Sequence, residues 1–283
     1  MHSETKDWGW EIKPVGGFPK LQLKELWQYK DLMLRFVKRD FIVSYRQTIL
    51  GPIWVFLEPL IATFVYYIVF GAVLHASTDK IPPLAFYLSG IVIWAYFSDT
   101  ASAVSYTFTA NATIFGKVYF PRLIVPISMM LSKMVRLGIQ LLMLVTVYIF
   151  YKINASHIHP NIYILLVPFL ILFTSAFALG FGLILASLAS RYRDVQNLMM
   201  FVIRILMYAT PVVYPFSLVP QEYKVFIGLN PLTSIIETFR FALFSTGSFS
   251  FTHLLYSIVV ITIVLLAGII FFNKVEQNVI DTI

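Results

Sequence analysis

Long apolar stretches alternate with short polar ones along this chain, at residues 53–74, 84–108, 123–151, 162–189, 195–216 and 254–272. A helix needs roughly 20 apolar residues to cross the hydrocarbon core of a bilayer. The pattern therefore predicts an all-α membrane protein with six transmembrane helices. Ahead of them, residues 20–47 follow another rhythm. Leu26, Tyr29, Met33, Phe36 and Val37 recur at spacings of three and four, while Lys24, Asp31, Arg35 and Lys38 fall on a different face. This reads as an amphipathic helix in the plane of the cytoplasmic interface. A plain anchor and a helix that also touches a cytoplasmic partner fit equally well. Residues 1–19 form a polar tail broken by Pro14, Gly16, Gly17 and Pro19. Residues 48–273 are the transmembrane domain, and 274–283 a short cytoplasmic tail.

Two connections stand out. Between the second and third stretches, TANATIFGKVYFPR is short and basic and predicts a helix lying along the cytoplasmic face. The connection at 217–253 is too long for a tight turn and too apolar for a solvated loop. Asn230 is placed to cap a helix whose first turn holds Pro231, and Leu232, Ile235, Ile236 and Phe239 share one face. The pieces on either side of Asn230 are too short to span, so re-entrant or interfacial helices are expected. Asn230, Pro231, Ile235 and Phe239 thereby become candidates for an outer gate, with an amphipathic loop on the outer leaflet as the alternative.

Composition sharpens this picture. Of 283 residues, 59% are hydrophobic and only 12% charged, against about 25% charged in soluble domains. There are no cysteines, which excludes disulfides and thiolate chemistry. A net charge of +7 would suggest nucleic acid in a soluble protein. Here the basic residues concentrate before residue 53 and at Lys117, Arg122, Arg191, Arg193 and Lys274, all on one side of a six-span topology. By the positive-inside rule both termini are cytoplasmic. The first 20 residues lack the apolar core of a signal peptide, so the first span is expected to direct insertion.

Candidate chemistry is sparse. The five histidines fall in tails or loops, and His157 with His159 is too small a set for a metal site. No catalytic constellation and no G-x-x-x-x-G-K-[ST] loop is present, and no paired acids stand within a span to suggest a proton relay. Four ionisable residues do lie within spans: Glu58, Lys133, Arg136 and Arg204. They read as a lining that meets anionic cargo, or as ion-pair partners. Lys133 and Arg136 could equally snorkel to an interface, whereas Arg204, nearer the middle of its span, is expected to be buried. Aromatic residues make up 17% of the chain. Most belong to interfacial belts, but rings with a polar tip also suit a passage for sugars. The candidates are Phe56, Tyr66 and Tyr67 in the first span, Tyr87, Trp94 and Tyr96 in the second, and Tyr208 and Tyr214 in the fifth.

Four blocks in order, DLMLRFVKRDFIVSYRQTILGPIWVFLEPL (31–60), IFGKVYFPRLIVPIS (114–128), SRYRDVQNLMMFVIRILMYATPVVYP (190–215) and NPLTSIIETFR (230–240), resemble those of type-2 ABC exporter permeases that move polysaccharides. The resemblance spans nearly the whole chain and leans towards O-antigen and lipopolysaccharide permeases, with capsule and teichoic acid permeases as near relatives. It implies a homodimer in the bacterial cytoplasmic membrane, served by two copies of a separate ATPase that binds ATP and Mg. Its cargo would be a polyprenyl-pyrophosphate-linked polysaccharide, and spans one, two and five would line the channel. ATPase docking falls to the amphipathic helix and the short helix after span two, with Arg191, Arg193 and Asp194 nearby. Arg35, Lys38, Arg39, Arg46, Lys117 and Arg122 would meet the ATPase or the anionic headgroup. The same fold exporting a drug, haem or a small lipid is an alternative. An intramembrane transferase acting on lipid-linked sugars is another, of a different class.

Overall fold

The computed structural model describes residues 23–118, 120–154, 159–192 and 194–280. The 1–19 tail, His157 and Arg193 lie outside them. Every regular element among the described residues is helical. The amphipathic segment forms α1 (Leu23–Gln28) and α2 (Lys30–Tyr45). Leu26, Tyr29, Met33 and Phe36 pack on Phe120, Ile124 and Val125, so the apolar face read from the sequence is spent on protein, at the start of a long helix. Trp27, Leu34, Ile42 and Val43 remain exposed.

Five helical stretches are long and apolar enough to cross a membrane: Gly51–Val73, Pro83–Ser105, Ile124–Asn154, Ile162–Arg191 and Phe251–Glu276. The first opens on Gly51, whose φ of 53° favours glycine, followed by Pro52 in a 3-10 turn. It continues as α3 (Trp54–Tyr66) and ends in a π-helical turn, Tyr67–Val73. Pro59 sits inside α3. Proline has no N–H to donate four residues back, and the freed Val55 carbonyl instead accepts from Gln140 Nε2 at 3.5 Å. Next come α4 (Pro83–Ser105), the single turns α5 (Thr107–Ala110) and α6 (Ala112–Phe115), and the long α7 (Ile124–Asn154).

The bundle is built around α4, which is buried on nearly all sides and touches α3, α7, α8 and α11. A helix apolar all round belongs at such a position. Behind it, α8 (Val167–Arg191) pairs closely with α12 (Phe251–Ile280). Gly180 and Gly268 face each other there, and each would drive a Cβ into the other helix's backbone. Small residues at such contacts let helices approach in lipid, where apolar surface alone gives no preference for protein.

One predicted span differs. The stretch 195–216 forms α9 (Asp194–Tyr208) and then leaves the helix. Its 15 residues reach about 22 Å, short of the 30 Å core. Pro211 cannot donate to the preceding turn. Nearby side chains take up the orphaned carbonyls: Thr210 donates to Leu206 at 2.6 Å and Tyr214 to Tyr208 at 3.0 Å. The apolar character of 209–216 masks this unwinding, and Pro211 and Pro215 are the signal that marks it. After it come α10 (Gln221–Gly228) and α11 (Pro231–Phe244). Asn230 caps α11 through Leu232 N at 3.1 Å and donates to Thr210 at 2.7 Å, tying the cap to the break after α9.

Candidate functional site

The unwound segment after α9 is also gripped by a buried arginine. Arg240, on α11, is 1% exposed. It donates to the carbonyls of Pro211 at 2.7 Å, Val212 at 2.6 Å and Phe86 at 3.3 Å, to Ser89 Oγ at 3.4 Å, and to Glu237 Oε1 at 3.3 Å. Its guanidinium lies over the Phe86 ring at 3.7 Å. Glu237, one turn earlier, also accepts from Ser248 Oγ at 3.0 Å. A buried arginine is tolerable because every donor face meets an oxygen or a ring. The sequence placed this charge in an outer loop; its role needs two carbonyls that only the break in α9 frees.

Gly90 on α4 makes room for this clasp. A Cβ there would lie 2.6 Å from Arg240 Nη2 and 2.7 Å from the Val212 carbonyl oxygen. Because the guanidinium is held by several acceptors, it cannot swing aside. Gly90→Ala is expected to cost about 1–3 kcal/mol, the usual range for overpacking, and to lower the thermal midpoint of detergent-purified protein. An unaltered midpoint would show that the clasp yields.

A second constellation sits at the opposite end of α4. Arg136 on α7 donates to Asp99 Oδ2 on α4 at 2.9 Å and pairs with Glu58 on α3. Lys133 lies one turn earlier on α7, partly buried. Sequence reading found Glu58, Lys133 and Arg136 but not Asp99, and saw no paired acids. The pair exists across helices rather than along one; an aspartate inside an apolar stretch was the available signal. Beside the cluster, a cavity of about 170 Å³ opens between α3, α4, α7 and α9, lined in part by Glu58, Tyr66, Trp94, Arg136, Gln140 and Met207.

The aromatic candidates separate into two groups. Tyr87, Trp94 and Tyr96 are buried within the subunit, Tyr96 sharing a 2.6 Å hydrogen bond with Ser175 of α8. Of these three, only Trp94 reaches the cavity. Phe56, Tyr67 and Tyr208 are exposed, while Tyr66 is half-buried with its hydroxyl on Met207 Sδ, and Tyr214 is half-buried too. Arg204 departs from expectation. It is exposed, with no ion-pair partner among the described residues, because it falls on the outward face of α9. The gate candidates belong to α11 and its cap. Pro231, Ile235 and Phe239 are buried and Asn230 half-buried in α11, since that helix packs on α4, α8 and α12. The exposed apolar residues of the hairpin, Tyr223, Val225 and Phe226, belong to α10.

Of the basic candidates, Arg35, Lys38, Arg46, Lys117 and Arg191 are exposed, as is Asp194. Arg39 is half-buried, ion-paired with Asp40 at 2.8 Å and stacked on Phe36 at 4.7 Å. Arg122 leaves the set. Only 8% exposed, it donates to the Glu276 carbonyl at 3.3 Å and stacks on Phe115, which ties the start of α7 to the end of α12.

The sequence pattern of one family, described as ABC-2 type transporter, matches residues 32–244. Two similar proteins are O-antigen export system permease proteins RfbA. The one from Klebsiella pneumoniae is 26% identical over 251 residues, covering 88% of this chain and 93% of its own. The one from Myxococcus xanthus is 26% identical over 259 residues, covering 90% and 96%. The polysialic acid transport protein KpsM of Escherichia coli is 22% identical over 208 residues, 71% of this chain and 77% of its own.

Proposed function

We propose that this chain, which belongs to the ABC-2 type transporter family, is the membrane permease of an ATP-driven exporter for a lipid-linked polysaccharide, with O-antigen as the first candidate. The relatives named for O-antigen and polysialic acid favour a polysaccharide over a drug, haem or a small lipid. ATP and Mg would be bound by a separate ATPase, two copies of which would serve a homodimer. In this reading α9, the buried turn after it and the α10–α11 hairpin complete a sixth crossing, and both termini are cytoplasmic.

The observation that carries the reading is the exposed Arg204. It lies ten residues beyond the start of α9, about 15 Å along the helix axis and so near the middle of the membrane. A charge facing lipid at that depth is expensive, and such residues face a bundle interior or a water-filled cavity. The exposed side of α9 would therefore turn to an aqueous passage, and the exposed rings of Phe56, Tyr67 and Tyr208 on α3 and α9 would border it. Rings at a passage wall can stack on a sugar without gripping any one hydroxyl, as a sliding polymer requires. ATPase movement would enter through α2, whose Phe36 packs on Phe120 at 5.9 Å just ahead of α7, and reach α3 through the Arg136–Glu58 pair. At the far end, α10 presents the exposed residues of a gate while α11 stays fixed by Arg240.

Arg204→Ala tests this directly. Export of lipid-linked polysaccharide by the reconstituted complex is expected to fall about tenfold, as loss of a contact worth 1.4 kcal/mol would produce. Protein yield should not change, since the side chain has no ion-pair partner among the described residues. Undiminished export would remove the aqueous passage from that face of α9.

A further inference from the structure

We infer that Arg136 is the phosphate-binding residue of a lipid subsite in the cavity between α3, α4, α7 and α9, and that Glu58 occupies the anion's place until the ligand arrives. The choice of a prenyl diphosphate as first ligand rests on the proposed cargo; the chemistry of the subsite does not.

The Arg136 and Arg240 clusters differ in a way that points to different uses. Arg240 is saturated by fixed oxygens and only 1% exposed. Arg136 is neither. Its Nη1 is committed to Asp99, but its Nε is buried with no hydrogen-bond partner. Its Nη2 partner, Glu58, has a side chain 65% exposed, against 31% for Asp99 and 17% for Arg136. The Arg136–Asp99 pair is already neutral, so Glu58 is a second anion on a guanidinium that needs only one. Lys133, one turn away on the same helix, offsets the surplus. An incoming diphosphate would displace the Glu58 carboxylate from Arg136 and bring the planar guanidinium fork a ligand it suits, since phosphate accepts paired N–H bonds.

The cavity supplies the other half of the chemistry. Apart from Gln140 and Tyr66, the walls beyond Glu58 and Arg136 are Pro59, Ala62, Ile91, Ala95, Trp94 and Met207, which suit an apolar chain. The polarity runs in the right order along the helices. Glu58 lies four residues after the start of α3, and Asp99 six before the end of α4. At 1.5 Å per residue these are about 6 and 9 Å from the same end of the bundle. Tyr66 and its Met207 contact lie a further ~12 Å along α3. A ligand with its phosphate at Arg136 and its chain towards Met207 would thus sit as a lipid sits in a leaflet.

The test uses the full chain in phosphatidylcholine nanodiscs, with the tryptophans other than Trp94 replaced by Phe so that Trp94 emission reports cavity occupancy. Geranylgeranyl diphosphate is titrated against geranylgeraniol, which has the same chain and no phosphate. The diphosphate is expected to bind at least tenfold tighter, and Glu58→Gln to lower its Kd several-fold while leaving the alcohol unaffected. Arg136→Lys keeps the charge, loses the fork and should weaken only the diphosphate. If Arg136→Lys does not fold, Glu58→Gln still decides, because it leaves the Arg136–Asp99 pair intact. Equal binding of diphosphate and alcohol, or a Kd indifferent to Glu58→Gln, would overturn the subsite. Adding phosphatidylglycerol to the nanodisc separates the sources. Competition with the diphosphate assigns the site to bulk anionic lipid; its absence assigns it to the prenyl diphosphate. The cargo reading is checked apart from this: a complex that binds the diphosphate but moves no polysaccharide would overturn that reading and leave the subsite standing.

Discussion

Arg240→Ala is expected to prevent folded protein from accumulating in the membrane. Truncation deprives two backbone carbonyls of the unwound segment, those of Pro211 and Val212, of their side-chain donor at once, while the Phe86 carbonyl keeps Ser89 Oγ at 2.8 Å. It also leaves Glu237, with a side chain 5% exposed, without its cation. Removing one partner of a buried ion pair costs about 3–5 kcal/mol, and an unpaired carbonyl in an apolar setting adds to that. Against a total stability of about 5–15 kcal/mol, little would remain. Fluorescence-detected size-exclusion chromatography of solubilised membranes measures the outcome. The double variant Arg240→Met with Glu237→Leu separates charge from packing. It leaves no buried charge behind, so it should recover part of the yield. Recovery should stop short of complete, because the carbonyls stay unpaired. A single variant that accumulates with an unchanged thermal midpoint would show that the segment after α9 holds itself in place.

Gly268→Val should part α8 from α12. The Cβ it adds would fall onto the Gly180 backbone, with the Gly180 Cα 3.0 Å away. Backbone cannot rotate aside as a flexible side chain does, so the helices must separate along their paired length. Separation would loosen the stack of Phe272 on Phe108, whose centroids are 4.7 Å apart, and the Arg122 bond to the Glu276 carbonyl. A cost of about 3 kcal/mol, the upper end for overpacking, is expected. It would be read as a lower thermal midpoint and faster proteolysis at the end of α12. Gly268→Ala adds the Cβ without the branch and should lie between Val and wild type. If Val is tolerated, the close approach at Gly180 is not what joins these helices.

Much of the architecture was legible in the sequence. Five apolar stretches became five long helices with ends shifted by a few residues, because apolar length is a property of the chain itself. The Asn230 cap with Pro231 in the first turn is local chemistry, as is the amphipathic spacing of Leu26, Tyr29, Met33 and Phe36. The end of α9 was not read from apolar length alone, though Pro211 and Pro215 mark it. Residues 209–216 are apolar enough to continue a span, and the helix stops where Thr210, Tyr214 and a distant Arg240 satisfy the carbonyls it releases. Nor was the fate of individual charges legible. Arg122, in a basic loop, turned inwards to Glu276; Arg204, deep in a span, turned outwards; Asp99 found Arg136 across two helices. Each outcome depends on a neighbour far along the chain.

The sequence by itself determined that this chain lives in a membrane and which stretches form its five long helices. Hydrophobic length, helical period and capping chemistry are set by residues close together in the chain. Only the tertiary structure decided which faces meet protein and which stay exposed. Tyr87 and Tyr96 are sealed within the subunit while Phe56 and Tyr208 are open, though all four are aromatic residues in apolar stretches. In water, burial would have divided them by hydrophobicity. In a bilayer, lipid and protein interior are equally apolar, so side-chain pattern ceases to separate inside from outside. The choice passes to close packing at Gly180 and Gly268 and to the ion pairs of Arg136 and Arg240.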